Sequence, residues 1–344
     1  MGASKATIAD VAKRAAVSRT TVSLVLNNRA AHLREETRAR VLSVIRELNY
    51  RPSAIARSLK TEKTRTIGLV IESIASPFYP AMAQGIEDEC RKHGYGLILC
   101  CTADDLKKEI GYFQDLGDRH VDGIIWASSI ARCDKNYPLE HIPDIPLVLL
   151  NRRLEGVVTD SVTINDVKGG FLATSYLIKS GHRRIAFFAG PLSRIASSDR
   201  LSGYRLALEQ NGIEYRPDVV LESDAWNEEG GRELARRLLS LPERPAALFA
   251  SNDLMAFGAL QVFTEEGIAV PGDVAVVGFD NLDLGRYTRP TLTTVTRPYY
   301  EMGREAARML VGKVTHARTK VAARELECDL IVRESSGGAS RQET

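Results

Sequence analysis

Thr7-Ile8-Ala9-Asp10-Val11-Ala12, then Val17-Ser18-Arg19-Thr20-Thr21-Val22-Ser23 and Val25-Leu26-Asn27, is the stretch that decides how the chain folds. Ile8, Val11, Ala12 and Ala15 recur on one helical face, Thr7 is placed to cap that helix, and Ala16-Val17 supplies a turn. Ser18 is placed to cap a second helix, which turns Val22, Val25 and Leu26 inward and leaves Arg19, Thr20 and Thr21 pointing out at its N-terminal end. A third helix over residues 34–48, with Val41, Leu42, Ile45 and Leu48 on its apolar side, closes a small core. Two short helices joined by a tight turn, the second polar on its outer face, are the geometry that carries a reading helix into the major groove of DNA.

Charge agrees with this reading. Through Arg65 the chain carries 14 Lys and Arg against 5 Asp and Glu, and the remainder carries 32 against 39. The overall formal charge of +2 therefore hides a basic head, able to release counterions from a phosphate backbone, and an acidic body that such a backbone repels. Pro52 ends the third helix, residues 53–59 form a brief helix-capable segment, and the polar stretch 60–65 reads as a linker. The expected organisation is a head over 1–50, a hinge helix and linker over 51–65, a body over 66–334, and a disordered Gly/Ser-rich tail over 335–344.

In the body, short apolar runs alternate with longer amphipathic ones. Strands are expected over 66–71, 96–101, 121–126, 146–150, 161–164, 184–189, 219–221, 246–250 and 274–278, with helices over 80–93, 106–119, 169–180, 200–210, 229–239 and 254–266. Such alternation predicts parallel, doubly wound α/β structure covered on both faces. The strands are too many for one sheet of usual size, so the fold class is α/β with two lobes that divide near Asn165, the C-terminal part returning to the first. Ligands of such folds bind at the carboxyl ends of strands, here in the cleft between the lobes.

Several classes are excluded. At 344 residues and 44% apolar content each part can bury its own core, and no apolar run approaches the roughly 18 to 20 residues that span a bilayer. With a polar N-terminus, the expectation is a cytoplasmic protein with no membrane partner. The five cysteines show no C-x-x-C spacing, so no metal site, disulfide framework or cofactor is expected, and they read as small buried apolar residues. There is no Gly-rich phosphate loop, no G-x-S-x-G, and the six histidines are scattered, so the protein is read as no enzyme.

The chain resembles the LacI/GalR family of bacterial transcriptional regulators along essentially its whole length. Besides the opening stretch, the resemblance rests on Glu35-Glu36-Thr37-Arg38, Leu48-Asn49-Tyr50-Arg51-Pro52 and Ala56-Arg57-Ser58-Leu59-Lys60, and in the body on Thr66-Ile67-Gly68-Leu69-Val70, Gly181-His182-Arg183-Arg184-Ile185, Asn252-Asp253-Leu254-Met255-Ala256 and Val277-Gly278-Phe279-Asp280-Asn281. It implies an allosteric repressor: a homodimer on a near-palindromic DNA operator, with a body like periplasmic sugar-binding proteins that takes a small, oxygen-rich, carbohydrate-like effector. By the same resemblance Arg19, Thr20 and Thr21 meet base edges, Thr7, Ser18, Ser23, Asn27, Tyr50 and Arg57 serve DNA binding around them, and Leu59 is the hinge leucine that wedges into the minor groove. Arg194, Arg200, Asn252 and Asp280 fall at effector positions, Phe78 and Tyr79 can stack on a ligand face, and Trp226 stands one place after the family's stacking aromatic, where Ala225 is found. The two arginines hint at a carboxylated ligand such as a sugar acid.

The chain departs from the family at Leu24, where an arginine is usual, and at Ala16, which replaces the turn glycine and costs about 1 kcal/mol if its φ is positive. Ile164 stands where many relatives have aspartate, and Ala196 where a purine-binding relative has a hydroxyl. A purine-type, corepressor-dependent regulator stays open as an alternative, and a solute-binding protein or an enzyme as a distant one.

Overall fold

The computed structural model describes residues 6–26, 32–50, 63–127, 138–151, 154, 158–317 and 320–337. Asn27, Arg57 and the hinge helix with Leu59 lie outside the described residues. The chain forms two compact units, Met1–Arg65 and Thr66–Thr344.

The first unit holds α1 (Ile8–Arg14), α2 (Arg19–Leu26) and α3 (Glu35–Glu47). Thr7 caps α1 in a reciprocal box: its hydroxyl oxygen accepts from the Asp10 amide at 3.3 Å, and Asp10 Oδ2 accepts from the Thr7 amide at 2.8 Å. Ser18 Oγ accepts from the Thr21 amide at 3.0 Å and starts α2. Between the two helices Ala16 has φ 53°, and the Val17 amide reaches back to the Ala12 carbonyl at 3.0 Å. This is the left-handed turn that usually takes glycine. Val11, Ala12, Ala15, Val22, Val25, Val41 and Val44 form the core. Leu42 departs from expectation: it is 37% exposed while Val44 is buried, because Val41, Val44, Ile45 and Leu48 follow the helical period and Leu42 points a quarter-turn away.

The second unit contains two six-stranded sheets. The first comprises β1 (Thr66–Ile71), β2 (Gly96–Cys101), β3 (Gly123–Trp126), β4 (Leu147–Leu150), β5 (Asp160–Ile164) and β11 (Ala323–Leu326), in the order β11-β5-β4-β3-β1-β2, all parallel. The second comprises β6 (Ile185–Ala189), β7 (Val220–Glu222), β8 (Ala247–Ala250), β9 (Ala275–Asp280), β10 (Thr293–Thr296) and β12 (Leu330–Ile331), in the order β12-β10-β9-β8-β6-β7, with only β12 antiparallel. Alternate residues serve opposite faces. In β1, Ile67, Leu69 and Ile71 pack with Met82 and Ile86 of α4 (Tyr79–Lys92) and with Met302 of α10 (Tyr299–Val314), whereas Val70 packs with Phe113 and Leu116 of α5 (Leu106–Asp118). The second sheet is covered in the same way by α6 (Asp166–Lys179) and α7 (Ile195–Gln210) on one face, and by α8 (Glu228–Leu239) and α9 (Asp253–Glu265) on the other.

The chain passes between the sheets three times, after Ile164, after Thr296 and after Leu326. Strands β10, β11 and β12 and helix α10 add to the elements expected from sequence. The ordered body also runs past residue 334: Ser335 and Ser336 are buried, and Ser335 Oγ accepts from the Thr293 amide at 2.8 Å and donates to the Val276 carbonyl at 2.7 Å. Among the described residues no helix is long and apolar enough to cross a membrane.

Candidate functional sites: a reading helix and an interlobe cleft

On α2, Val22 and Val25 are buried and Arg19, Thr20 and Leu24 are exposed. At 100° per residue, Thr20 and Leu24 sit opposite the buried pair, with Arg19 and Thr21 at the flanks. Thr21 is tied to Ser18 through their hydroxyls at 2.9 Å, so both belong to the helix start. Tyr50 packs against the head core. Beside these residues Arg14 pairs with Glu47 at 2.6 Å, which joins α1 to α3 on the surface.

In the second unit the carboxyl ends of the strands converge on a cavity of about 420 Å³. Phe78, Tyr79, Arg194, Arg200, Trp226, Asn252 and Asp280, all singled out from sequence, line it together. So do Ile164, Ala196 and Ala225, the positions of family departure, and Glu72, Asn151, Asp166, Arg297 and Tyr299, which sequence reasoning missed.

Glycines set the spacing. A Cβ on Gly170 would lie 2.3 Å from the Arg200 carbonyl oxygen, and one on Gly203 would lie 2.0 Å from that of Val167. Only without those atoms can α6 and α7 meet backbone to backbone, which brings Arg200 beside Asp166. Likewise Trp226 lies against Gly190, where a Cβ would approach its ring to 2.4 Å. The Trp226 indole donates to Ser251 Oγ at 3.0 Å, and Asn252 donates to the Trp226 carbonyl at 3.1 Å while its own oxygen caps α9 at the Met255 amide. Asn252 thus spends its side chain holding Trp226 and the helix start.

The floor of the cavity is a buried charge cluster where two of the crossings begin. Arg200 donates from Nε to Asp166 at 2.8 Å and from Nη1 to the Ser251 carbonyl. Its Nη2 lies 3.7 Å from Asp280 Oδ1, and Arg297 Nη1 approaches the same oxygen at 3.6 Å. Arg297 also faces Asp166 at 3.8 Å and donates to Asn151 of the first lobe. Both carboxylates therefore sit between both guanidiniums. Arg200 Nη2, Asp280 Oδ1 and Arg297 Nε are buried and find no hydrogen-bond partner among the described residues. Burial pushes the Asp280 carboxyl above the usual range, although Arg200 and Arg297 oppose it. Burial, with Asp280 alongside, pushes the Tyr299 hydroxyl well above its ordinary value. Asp280 itself has φ 115°, a strained conformation for a side chain other than glycine. Above the cluster Phe78 stacks on Tyr299 at 5.2 Å, and Tyr79 donates to the Ala127 carbonyl at 3.2 Å.

Arg194 is placed differently. It stands at the start of α7 in the second lobe and reaches across the cleft to two carboxylates of the first, Glu72 Oε2 at 3.2 Å and Asp104 Oδ2 at 3.3 Å. Among ion pairs between described residues, these join the lobes away from the crossings. The crossings have their own ties: Asn165 donates to Glu325 at 3.1 Å, and Lys168 pairs with Glu327.

Comparison with known proteins shows the family to which the chain belongs. The family model for bacterial regulatory proteins of the lacI family matches residues 7–53, and that for a periplasmic binding protein-like domain matches residues 174–336. The chain is 36% identical over 330 residues to the HTH-type transcriptional repressor PurR of Mannheimia succiniciproducens, covering 96% of this chain and 98% of that one. It is 38% identical over 337 residues to PurR of Proteus mirabilis, covering 96% of each. Among solved structures, the transcriptional regulator CelR-cellobiose complex is 35% identical with a TM-score of 0.72, covering 96% of this chain and 100% of that one. The lac repressor dimer bound to operator and the anti-inducer ONPF is 26% identical with a TM-score of 0.86, covering 97% and 99%. A helix-turn-helix head, two doubly wound lobes and full-length relatives at this identity lead to one conclusion: the chain belongs to the lacI family of bacterial regulatory proteins, DNA-binding transcriptional repressors under allosteric control by a small effector.

Proposed function

We propose that this repressor acts in the cytoplasm as a homodimer on a near-palindromic operator, carries out no catalysis, and responds to a neutral, polyhydroxylated effector, a sugar or short oligosaccharide, held in the interlobe cleft. Arg19, Thr20 and Thr21 read base edges, while Thr7 and Ser18 at the helix starts and Ser23 within α2 anchor phosphates. Arg200, Asp280 and Arg297 hold the effector, Phe78 and Trp226 give it apolar faces, and Asn252 positions Trp226.

One observation carries the choice of effector. Asp280 Oδ1 stands 3.6 and 3.7 Å from two guanidinium nitrogens, too far for hydrogen bonds, in a cluster that leaves two donors and one acceptor unsatisfied among the described residues. A group that completes such a set must both accept and donate, as a hydroxyl does. A carboxylate or phosphate only accepts, and it would meet Asp166 and Asp280 at close range. Arg194 and Arg200, which by themselves suggest a sugar acid, each already face two protein carboxylates. The cellobiose-bound neighbour supports a carbohydrate.

The names of the PurR relatives favour a second reading, a purine whose adjacent N–H and C=O groups also donate and accept. Thermal-shift titration of the full-length protein with neutral sugars, sugar acids, sugar phosphates and purines separates the two. A ligand at 100 times its Kd adds about 2.7 kcal/mol. Stabilisation by neutral sugars is the expected result; stabilisation by sugar acids or phosphates alone would remove the proposal, and stabilisation by purines alone would select the second reading. Operator binding repeated with the active compound then distinguishes inducer from corepressor.

A further inference from the structure

Leu24 is 36% exposed on a helix whose other outward residues, Arg19, Thr20 and Ser23, are polar. It lies one turn beyond Thr20, on the side of α2 away from the buried Val22 and Val25, so it forms part of the outer face of α2. The head that carries it has 14 basic residues against 5 acidic ones, a surface suited to DNA. A helix seated in the major groove turns this outer face to the base edges. What that groove offers is a set of hydrogen-bonding groups and one apolar group, the thymine C5-methyl. A leucine can neither donate nor accept. Its packing on a methyl group is the contact that gains from burial, whereas any other base edge would lose hydration without a partner.

We infer that Leu24 is a specificity-determining residue that reads a thymine methyl in each half of the operator. This rests on the reading of α2 as the DNA-reading helix. The arginine usual at this position in the family is suited to guanine, so the substitution exchanges a guanine contact for a thymine one rather than deleting a contact. Because Leu24 is outside the head core, its truncation leaves the fold intact.

The experiment begins with full-length protein and a random-sequence duplex library, from which the enriched operator is taken. Each thymine is then replaced by deoxyuridine, which removes only the methyl, and affinity is read by fluorescence anisotropy at fixed salt. One buried methyl is worth about fourfold in affinity, or about fifteenfold over two half-sites. The expected result is a loss of that order at one symmetry-related pair of positions for the natural protein, and no such loss for Leu24→Ala. Leu24→Arg should shift the preference at that pair from thymine to guanine. If uracil is tolerated at every position by the natural protein, or if Leu24→Ala keeps the same uracil penalty, the assignment is overturned. A library that enriches no sequence would overturn the repressor reading, and the inference with it.

Discussion

Breaking the two ion pairs that Arg194 makes across the cleft should let the lobes part. Glu72→Gln with Asp104→Asn removes both carboxylates and keeps their size. The side chains of Arg194, Glu72 and Asp104 are 18%, 28% and 42% exposed, so solvent screening holds each pair to about 0.2–1 kcal/mol. Together they amount to about 1 kcal/mol, or about a fivefold change in the ratio of closed to open forms. The loop that offers Asp104 bears a cost for doing so, since Ala103 and Asp104 have φ 54° and 60°, left-handed values unusual outside glycine. Acrylamide quenching reads the change. The chain has two tryptophans, and Trp126 is fully buried, so the accessible signal comes from Trp226 in the cleft wall. Quenching should rise in the double variant, and in the natural protein it should rise with ionic strength as the pairs are screened. Equal quenching of the two proteins at low and high salt would refute the argument. Operator affinity followed in the same titration identifies which lobe arrangement binds DNA.

Ala16→Gly relieves the left-handed turn between α1 and α2 and should stabilise the head by about 1 kcal/mol, slowing amide exchange at Val11 and Val22 about fivefold; unchanged or faster exchange would mean the turn stores no strain. Gly203→Ala puts a methyl 2.0 Å from the Val167 carbonyl oxygen and should cost about 1–3 kcal/mol by pushing α7 off α6, so an unaltered urea midpoint counts against close packing there. Burial pushes the Cys90 thiol up to about 12 and those of Cys100 and Cys328 up to about 11, which leaves them protonated at pH 8. Iodoacetamide at that pH should spare all three in the native protein and label them after denaturation; labelling of the native protein by mass mapping contradicts their burial.

The head was legible because its determinants are local. Thr7 and Asp10, three residues apart, make a capping box, Ser18 caps α2, and the apolar residues between them keep the helical period. The body strands up to β9 were legible as short apolar runs. Strand β10 reads Thr-Thr-Val-Thr and β12 is two residues long, too brief to hold a pattern, whereas α10 had one in Met302, Ala306, Met309, Leu310 and Val314. In the cleft, residues inside recognisable motifs came through, Arg200 and Asp280 among them. Asp166, Asn151 and Arg297 did not, because no local pattern joins them: Arg297 meets Asp166 and Asn151 only where separate crossings and strand ends are folded together. Leu42 is apolar like its neighbour Val41, but its angular position on α3 turns it out of the core.

The three passages between the sheets also govern the order of biosynthesis. Strand β11 and helix α10, needed to finish the first lobe, come from residues 299–326, and β12 of the second lobe comes later still, at Leu330–Ile331. At about 5–20 residues per second, the faces of β3, β4 and β5 that α10 covers therefore stay uncovered on the ribosome until most of the polypeptide has emerged. Both lobes are finished late, the first with β11 and the second only after β12. A chain cut short near residue 320 would lack β11 from the first sheet and β12 from the second, so an edge strand of each lobe depends on the last stretch of the polypeptide.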